Sequence, residues 1–225
     1  AAAAQEAQSR SAALSTSSDK VGVSFAGAAF QEKYFATKFA RRGQLLFDVL
    51  CALGVDFEPG QVRVASFGGG PGTDASGLVP LQRRRFPQTH FDCVLYDRET
   101  SWKKYLKTLQ ELFGQHVGVE FAPCDVTQPL SSNANYKVVA SDVDVMFFFY
   151  VCHETSARAE ESQHVFYRDL AAAAKPGCLV VIADVMGHSQ EAIARVVAAM
   201  HSVKQLSELD CKPNFSAQVV AFRIL

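Results

Sequence analysis

Residue types able to do chemistry gather at four points of this 225-residue chain. The densest is Gly68-Gly69-Gly70-Pro71-Gly72-Thr73-Asp74, which follows the alternating run Val62–Phe67 directly. Backbone with so few Cβ atoms can turn sharply and let a bound group approach its main-chain N–H groups. Asp97 closes the run His90–Asp97 (HFDCVLYD), with Arg98 next to it. Asp125-Val126 follows the run Val117–Ala122, and Tyr150, His153 and Glu154 follow the apolar run that begins at Val143. In that last stretch Tyr150 could orient a ligand, while His153 or Glu154 could take a proton near neutral pH.

These points need elements to hold them, and the hydrophobic periodicity supplies a set. Phe30, Tyr34, Phe35 and Phe39, then Leu45, Leu46, Val49, Leu50 and Leu53, predict two helices broken near Gly43 and stopped at Gly54. Arg41-Arg42 between them reads as a solvated turn, with contact to an anionic substrate as the alternative. Val62–Phe67 is a strand running into the glycine loop. Ala75–Arg84 is a helix, with Asp74 in its first turn at the favourable dipole end. His90–Asp97 is a second strand, Ser101–Phe113 an amphipathic helix and Val117–Ala122 a third strand. Val143–Val151 is nearly all apolar, as befits a strand covered on both faces. A helix over Glu160–Ala174 is stopped by Lys175-Pro176-Gly177. Cys178–Asp184 is a fifth strand, Ser189–Val203 a helix, and Ser216–Leu225 a last strand with Lys204–Leu209 as partner.

Alternating strands and helices of this kind predict an α/β fold with a mainly parallel sheet. Ligands of such sheets bind beyond the C-terminal ends of the strands, where the strand order switches. All four chemistry-bearing points lie at such ends, as does Asp184.

Composition narrows the function classes. Net charge is -1 and pI about 6.7, which gives no general attraction to nucleic acid or anionic membrane. No apolar run reaches the ~18 residues that a membrane-spanning helix needs. Six cysteines are scattered singly with no CxxC pair, and the histidines do not cluster, so no metal site is expected. Widely spaced single cysteines suggest a reducing, intracellular setting. Residues 1–20 are rich in Ala and Ser and poor in large apolar side chains, which predicts a disordered or extended tail. They also read as a trimmed organellar targeting segment, with a mitochondrial setting slightly favoured over a nucleolar or cytoplasmic one.

Three cofactor readings compete for the glycine loop. A Walker phosphate loop requires Lys-Ser or Lys-Thr after the glycines, and none follows. Gly70-Pro71-Gly72-Thr73-Asp74-Ala75 satisfies a GxGxxA dinucleotide fingerprint, so NAD stays open. Third, Gly68-x-Gly70-x-Gly72, Asp97, Asp125 and Lys175-Pro176-Gly177 together resemble the motifs of class I S-adenosylmethionine-dependent methyltransferases, over about residues 45–225. A narrower resemblance, carried by Ser66-Phe67-Gly68-Gly69-Gly70-Pro71 and Asp97-x-x-x-x-Trp102, is to the eukaryotic group that includes the large-subunit rRNA uridine-N3 methyltransferases.

The resemblance implies a Rossmann-like, mostly parallel seven-stranded sheet with an antiparallel C-terminal strand and helices on both faces. It implies S-adenosyl-L-methionine as cofactor, held by Ser66, Phe67, Gly68, Gly69, Gly70, Gly72, Asp97, Arg98, Asp125, Val126 and Phe149. Asp97 would meet the ribose, and Asp125 the adenine amino group. RNA or a ribonucleoprotein is the partner it implies. Many members carry an acid where this chain has Ser66, which leaves a non-catalytic subunit of a larger complex as the alternative. Tyr150, His153 and Glu154 are the candidate catalytic residues. The expected organisation is a tail over 1–20, a helical cap over 21–57 and the cofactor-binding domain over 58–225.

Overall fold

The computed structural model describes residues 25–133, 142–187, 189–210 and 215–225. The expected tail over 1–20 lies outside the described residues. Seven strands form one sheet: β1 (Gly60–Phe67), β2 (Thr89–Asp97), β3 (Val117–Pro123), β4 (Val145–Phe149), β5 (Leu179–Val185), β6 (Leu206–Leu209) and β7 (Ala217–Ile224). Their order is β3-β2-β1-β4-β5-β7-β6. The β3/β2, β2/β1, β1/β4 and β4/β5 pairs are parallel, while β7 runs antiparallel to both β5 and β6. This is the predicted architecture. The chain builds outward from β1 to β3 and then returns to the other side of β1 for β4. A crevice therefore opens between the C-terminal ends of β1 and β4.

The period-two alternation of strand side chains divides the interior into two cores. Along β4, Val145, Phe147 and Phe149 enter one core, with Val64, Phe91 and Leu95 from β1 and β2. Met146 and Phe148 enter the other, with Ala65, Phe67 and Tyr96. The first core is covered by α1 (Ala28–Ala52), α2 (Thr73–Arg85) and α3 (Leu106–Phe113). The second is covered by α4 (Cys152–Glu161), α5 (Val165–Ala173) and α6 (Gln190–His201).

Three predicted elements differ from the observed ones. α1 is one unbroken helix of 25 residues. Gly43 does not break it; a Cβ there would strike Ser76, and a Cβ on Gly77 would strike the Gly43 carbonyl. The two glycines let α1 and α2 cross almost backbone to backbone. Arg41 and Arg42 consequently lie on a helix and not in a turn. The helix expected over Glu160–Ala174 is two helices, the first beginning at Cys152. The chain turns between them through Gln163 and His164, both left-handed at φ 53° and 55°. The helix expected over Ser101–Phe113 starts as a 3-10 turn, Thr100–Tyr105, before α3.

Candidate cofactor and acceptor site

The glycine loop is fastened to the end of β2 in two ways. The Gly68 and Gly69 N–H groups both donate to the Tyr96 carbonyl, at 2.8 and 3.2 Å. The Gly70 N–H donates to Asp97 Oδ2 at 2.9 Å. The other Asp97 oxygen accepts from the Glu99 N–H at 2.8 Å. Glu99 in turn accepts from the Ser101 N–H and hydroxyl at 3.1 and 2.7 Å. Gly68, Gly70 and Gly72 all have positive φ, at 68°, 49° and 83°. A Cβ added to Gly70 would stand within 4.0 Å of Asp97 Oδ2, in the space a ligand of that carboxylate would use.

Two N–H donors lower the pKa of Asp97, but burial outweighs them and raises it to about 6. A carboxylate offers about four lone-pair positions, so Asp97 retains acceptor capacity for a diol after these two bonds.

Beneath the loop lies a second acid. Ser66 is fully buried, and its hydroxyl donates to Asp74 Oδ2 at 2.7 Å. Asp74 also accepts from the Thr73 hydroxyl at 3.3 Å, and burial raises its pKa to about 6. The first turn of α2 thus brings a carboxylate to Ser66.

Past β3, Asp125 Oδ1 accepts from the Thr127 N–H at 3.0 Å and its hydroxyl at 2.7 Å. Arg98 lies 4.0 Å from its other oxygen. Asp125 and Val126 face Asp97 across a cavity of about 280 Å³, to which Phe149 adds an apolar wall. Of the residues expected to hold a cofactor, Gly68, Gly70, Asp97, Arg98, Asp125, Val126 and Phe149 line this cavity. Ser66, Phe67, Gly69 and Gly72 do not. Ser66 and Phe67 are fully buried in β1, and Gly69 and Gly72 shape the turn.

The other end of the cavity is made by Tyr34 and Arg42 of α1, by Tyr150, and by Glu154, Thr155 and Arg158 of α4. Tyr150 has φ 60°, a backbone region that costs an aromatic residue about 1–3 kcal/mol and recurs at functional sites. Its N–H donates to the Ala183 carbonyl at 2.7 Å, which anchors it across β5. Burial raises its phenol pKa, with Arg42 opposing, so it stays a neutral hydroxyl at pH 7.

His153 does not line the cavity. It is buried behind the wall, with its ring Nδ1 paired to Asp184 Oδ1 and its backbone N–H donating to Asp184 Oδ2 at 2.9 Å. Its Nε2 lies 4.0 Å from Glu154 Oε1. Of the three candidate catalytic residues, Tyr150 and Glu154 therefore reach the cavity, and His153 stands behind Glu154.

Tyr34, Glu99, Thr127 and Arg158 were not singled out from the sequence. Arg158 is four residues after Glu154 and shares its helix face, a signal that starting the helix at Cys152 would have exposed. Tyr34 carries no sequence signal for this position, and Arg42 was read first as part of a solvated turn, with contact to an anionic substrate as the alternative; packing of α1 over the strand ends puts both in the wall.

A larger cavity of about 650 Å³ lies over the other half of the sheet, bordered by Arg63, Asp92, Val117, Glu120 and Asp142. Arg63 and Asp142 pair there with each other. No described helix is long and apolar enough to cross a membrane, and no group of three or more His, Cys, Asp or Glu able to hold a metal occurs among the described residues.

The fold is shared with solved methyltransferase structures. One, a candidate S-adenosyl-L-methionine-dependent methyltransferase from Methanococcus maripaludis, aligns at TM-score 0.54 and 14% identity over 92% of this chain and 94% of that one. CurJ carbon methyltransferase aligns at 0.53 and 14% identity over 87% of this chain and 57% of that one. The trans-methyltransferase CalH, solved with S-adenosylhomocysteine, aligns at 0.52 and 14% identity over 87% of this chain and 62% of that one. This chain thus spans less than two thirds of the latter two. No protein-family model and no curated protein matches it. At these identities the likeness defines a class by architecture: the chain has the Rossmann-like fold of class I methyltransferases.

Proposed function

We propose that the protein is an S-adenosyl-L-methionine-dependent methyltransferase. One observation carries the reading: the Asp97 carboxylate, at the end of β2, is tied to the glycine loop through the Gly70 N–H and faces Asp125 across a cavity. Asp97 would hold the ribose hydroxyls, Asp125 and Val126 the adenine, and Phe149 the face of the ring. The cofactor supplies a methyl group on a cationic sulfonium. Tyr34, Tyr150 and Glu154 would position the acceptor, which serves catalysis by fixing attack geometry. At that end of the wall Glu154 is the carboxylate that would take a proton, and His153, oriented by Asp184, stands behind it. RNA is the acceptor class implied by the sequence resemblance.

Calorimetry of the full chain with S-adenosylmethionine, S-adenosylhomocysteine and NAD tests the reading. Both sulfur cofactors are expected to bind. Asp97→Asn is expected to weaken them by about 100-fold, since charge-assisted bidentate bonds are lost, without altering the thermal transition by more than a few degrees. Tight NAD binding with no binding of either sulfur compound would overturn the proposal. Binding of none of the three would favour a non-catalytic subunit.

A further inference from the structure

Arg42 is held in the cavity wall by two aromatic residues from different elements. Its guanidinium carbon lies 3.8 Å from the Tyr150 ring centroid and 5.0 Å from that of Tyr34. Nη1 donates to the Tyr34 hydroxyl. Its other N–H groups make no hydrogen bond, and no carboxylate lies within ion-pair distance of it, among the described residues. Asp74 acts on it only through space and is itself capped by Ser66 and Thr73.

This placement is built. The next residue, Gly43, is the point where α1 meets Gly77 of α2, so the backbone that carries Arg42 has little room to shift. Tyr150, the ring beneath the guanidinium, adopts a strained backbone conformation to be there. A half-buried cation, oriented by two rings and lacking an acid, presents a planar fork of donors to the cavity. That fork matches a carboxylate bidentately. Asp97, Glu99, Asp125 and Glu154 share the cavity, and their charge disfavours a dianion such as a phosphate monoester more than a monoanion. Arg98 and Arg158 add two further cations to the wall.

We propose that Arg42, fixed between Tyr34 and Tyr150, binds a single carboxylate in this cavity. The methyltransferase reading is used only to name two sources: the amino-acid carboxylate of the cofactor, or a carboxylate on a small acceptor.

Calorimetry on the full chain distinguishes them, with wild type, Arg42→Ala, Arg42→Gln and Arg42→Lys compared and circular dichroism used to check folding. The first arm measures S-adenosylhomocysteine against 5′-methylthioadenosine, which lacks the amino-acid portion. If the cofactor is the source, wild type prefers S-adenosylhomocysteine, and Arg42→Ala and Arg42→Gln lose at least 10-fold of that preference. The second arm measures benzoate, 4-hydroxybenzoate and phenylacetate, each against its amide, on protein loaded with S-adenosylhomocysteine. If an acceptor is the source, a carboxylate binds at least 10-fold tighter than its amide, and the alanine and glutamine variants abolish the difference. Arg42→Lys retains part of either preference, because it keeps the charge and loses the fork. The proposal is overturned if both preferences are the same in folded Arg42→Ala as in wild type. Should wild type fail to bind S-adenosylhomocysteine, the methyltransferase reading fails instead, and the second arm, run on unloaded protein, still decides for or against the carboxylate site.

Discussion

Two acids, half-buried Asp97 and fully buried Asp74, set the pH behaviour of the site. Each has a folded-state pKa of about 6 against an ordinary 3.8. The folded chain therefore holds these protons more tightly than the unfolded one. Their linked contribution to stability is fully present below about pH 4 and is lost as pH rises through 6. Asp74→Asn is expected to flatten this part of the stability profile. Chemical denaturation at pH 5 and pH 8 checks it: the difference between the two pH values should shrink by about 1–2 kcal/mol relative to wild type. Cofactor affinity should run the other way, because Asp97 accepts a diol best when ionised. Affinity for S-adenosylhomocysteine is expected to fall by up to about 10-fold per unit as pH drops below 6, and Asp97→Asn to remove that dependence. At this scale the acids at strand ends were legible, because a carboxylate after an apolar run is visible in the residues themselves. Asp74 was read as a helix-dipole residue, and its bond to Ser66 was not legible. It depends on how the loop folds back over β1.

Among the elements, the crossing of α1 and α2 governs the acceptor end of the site. Gly43 looked like a helix breaker because glycine is a poor helix former. Its role is instead to lack a side chain where another helix passes. Gly77→Ala is therefore expected to cost about 1–3 kcal/mol through overpacking, which thermal unfolding would show. It should also weaken carboxylate binding at Arg42 more than binding of 5′-methylthioadenosine, since α1 carries Tyr34 and Arg42 while Asp97 and Asp125 lie on the sheet side. The break between α4 and α5 was likewise hidden. Gln163 and His164 are not glycine, and nothing in their types announces left-handed backbone.

For the whole molecule, strand and helix order was legible from periodicity alone, and the sheet follows it closely. The acceptor end was much less so, because α1 reaches it from a part of the chain distant in sequence. α1 also contributes Leu45, Leu46, Val49 and Leu50 to the core that β1, β2 and β4 share. A chain cut to residues 58–225 would expose that core face. It is expected to lose cooperative unfolding in urea, whereas full-length protein should show one sharp transition.

Trp102, the chain's one tryptophan, is 3% exposed, lies 5.6 Å from Tyr34 by ring centroids and forms part of the cavity wall. The tryptophan emission of this protein consequently has a single source, placed in the wall of the cavity. Unfolding would move its emission to the red, while occupancy of the cavity would change its intensity in the folded state. One optical channel can thus separate loss of structure from loss of binding in every variant described above.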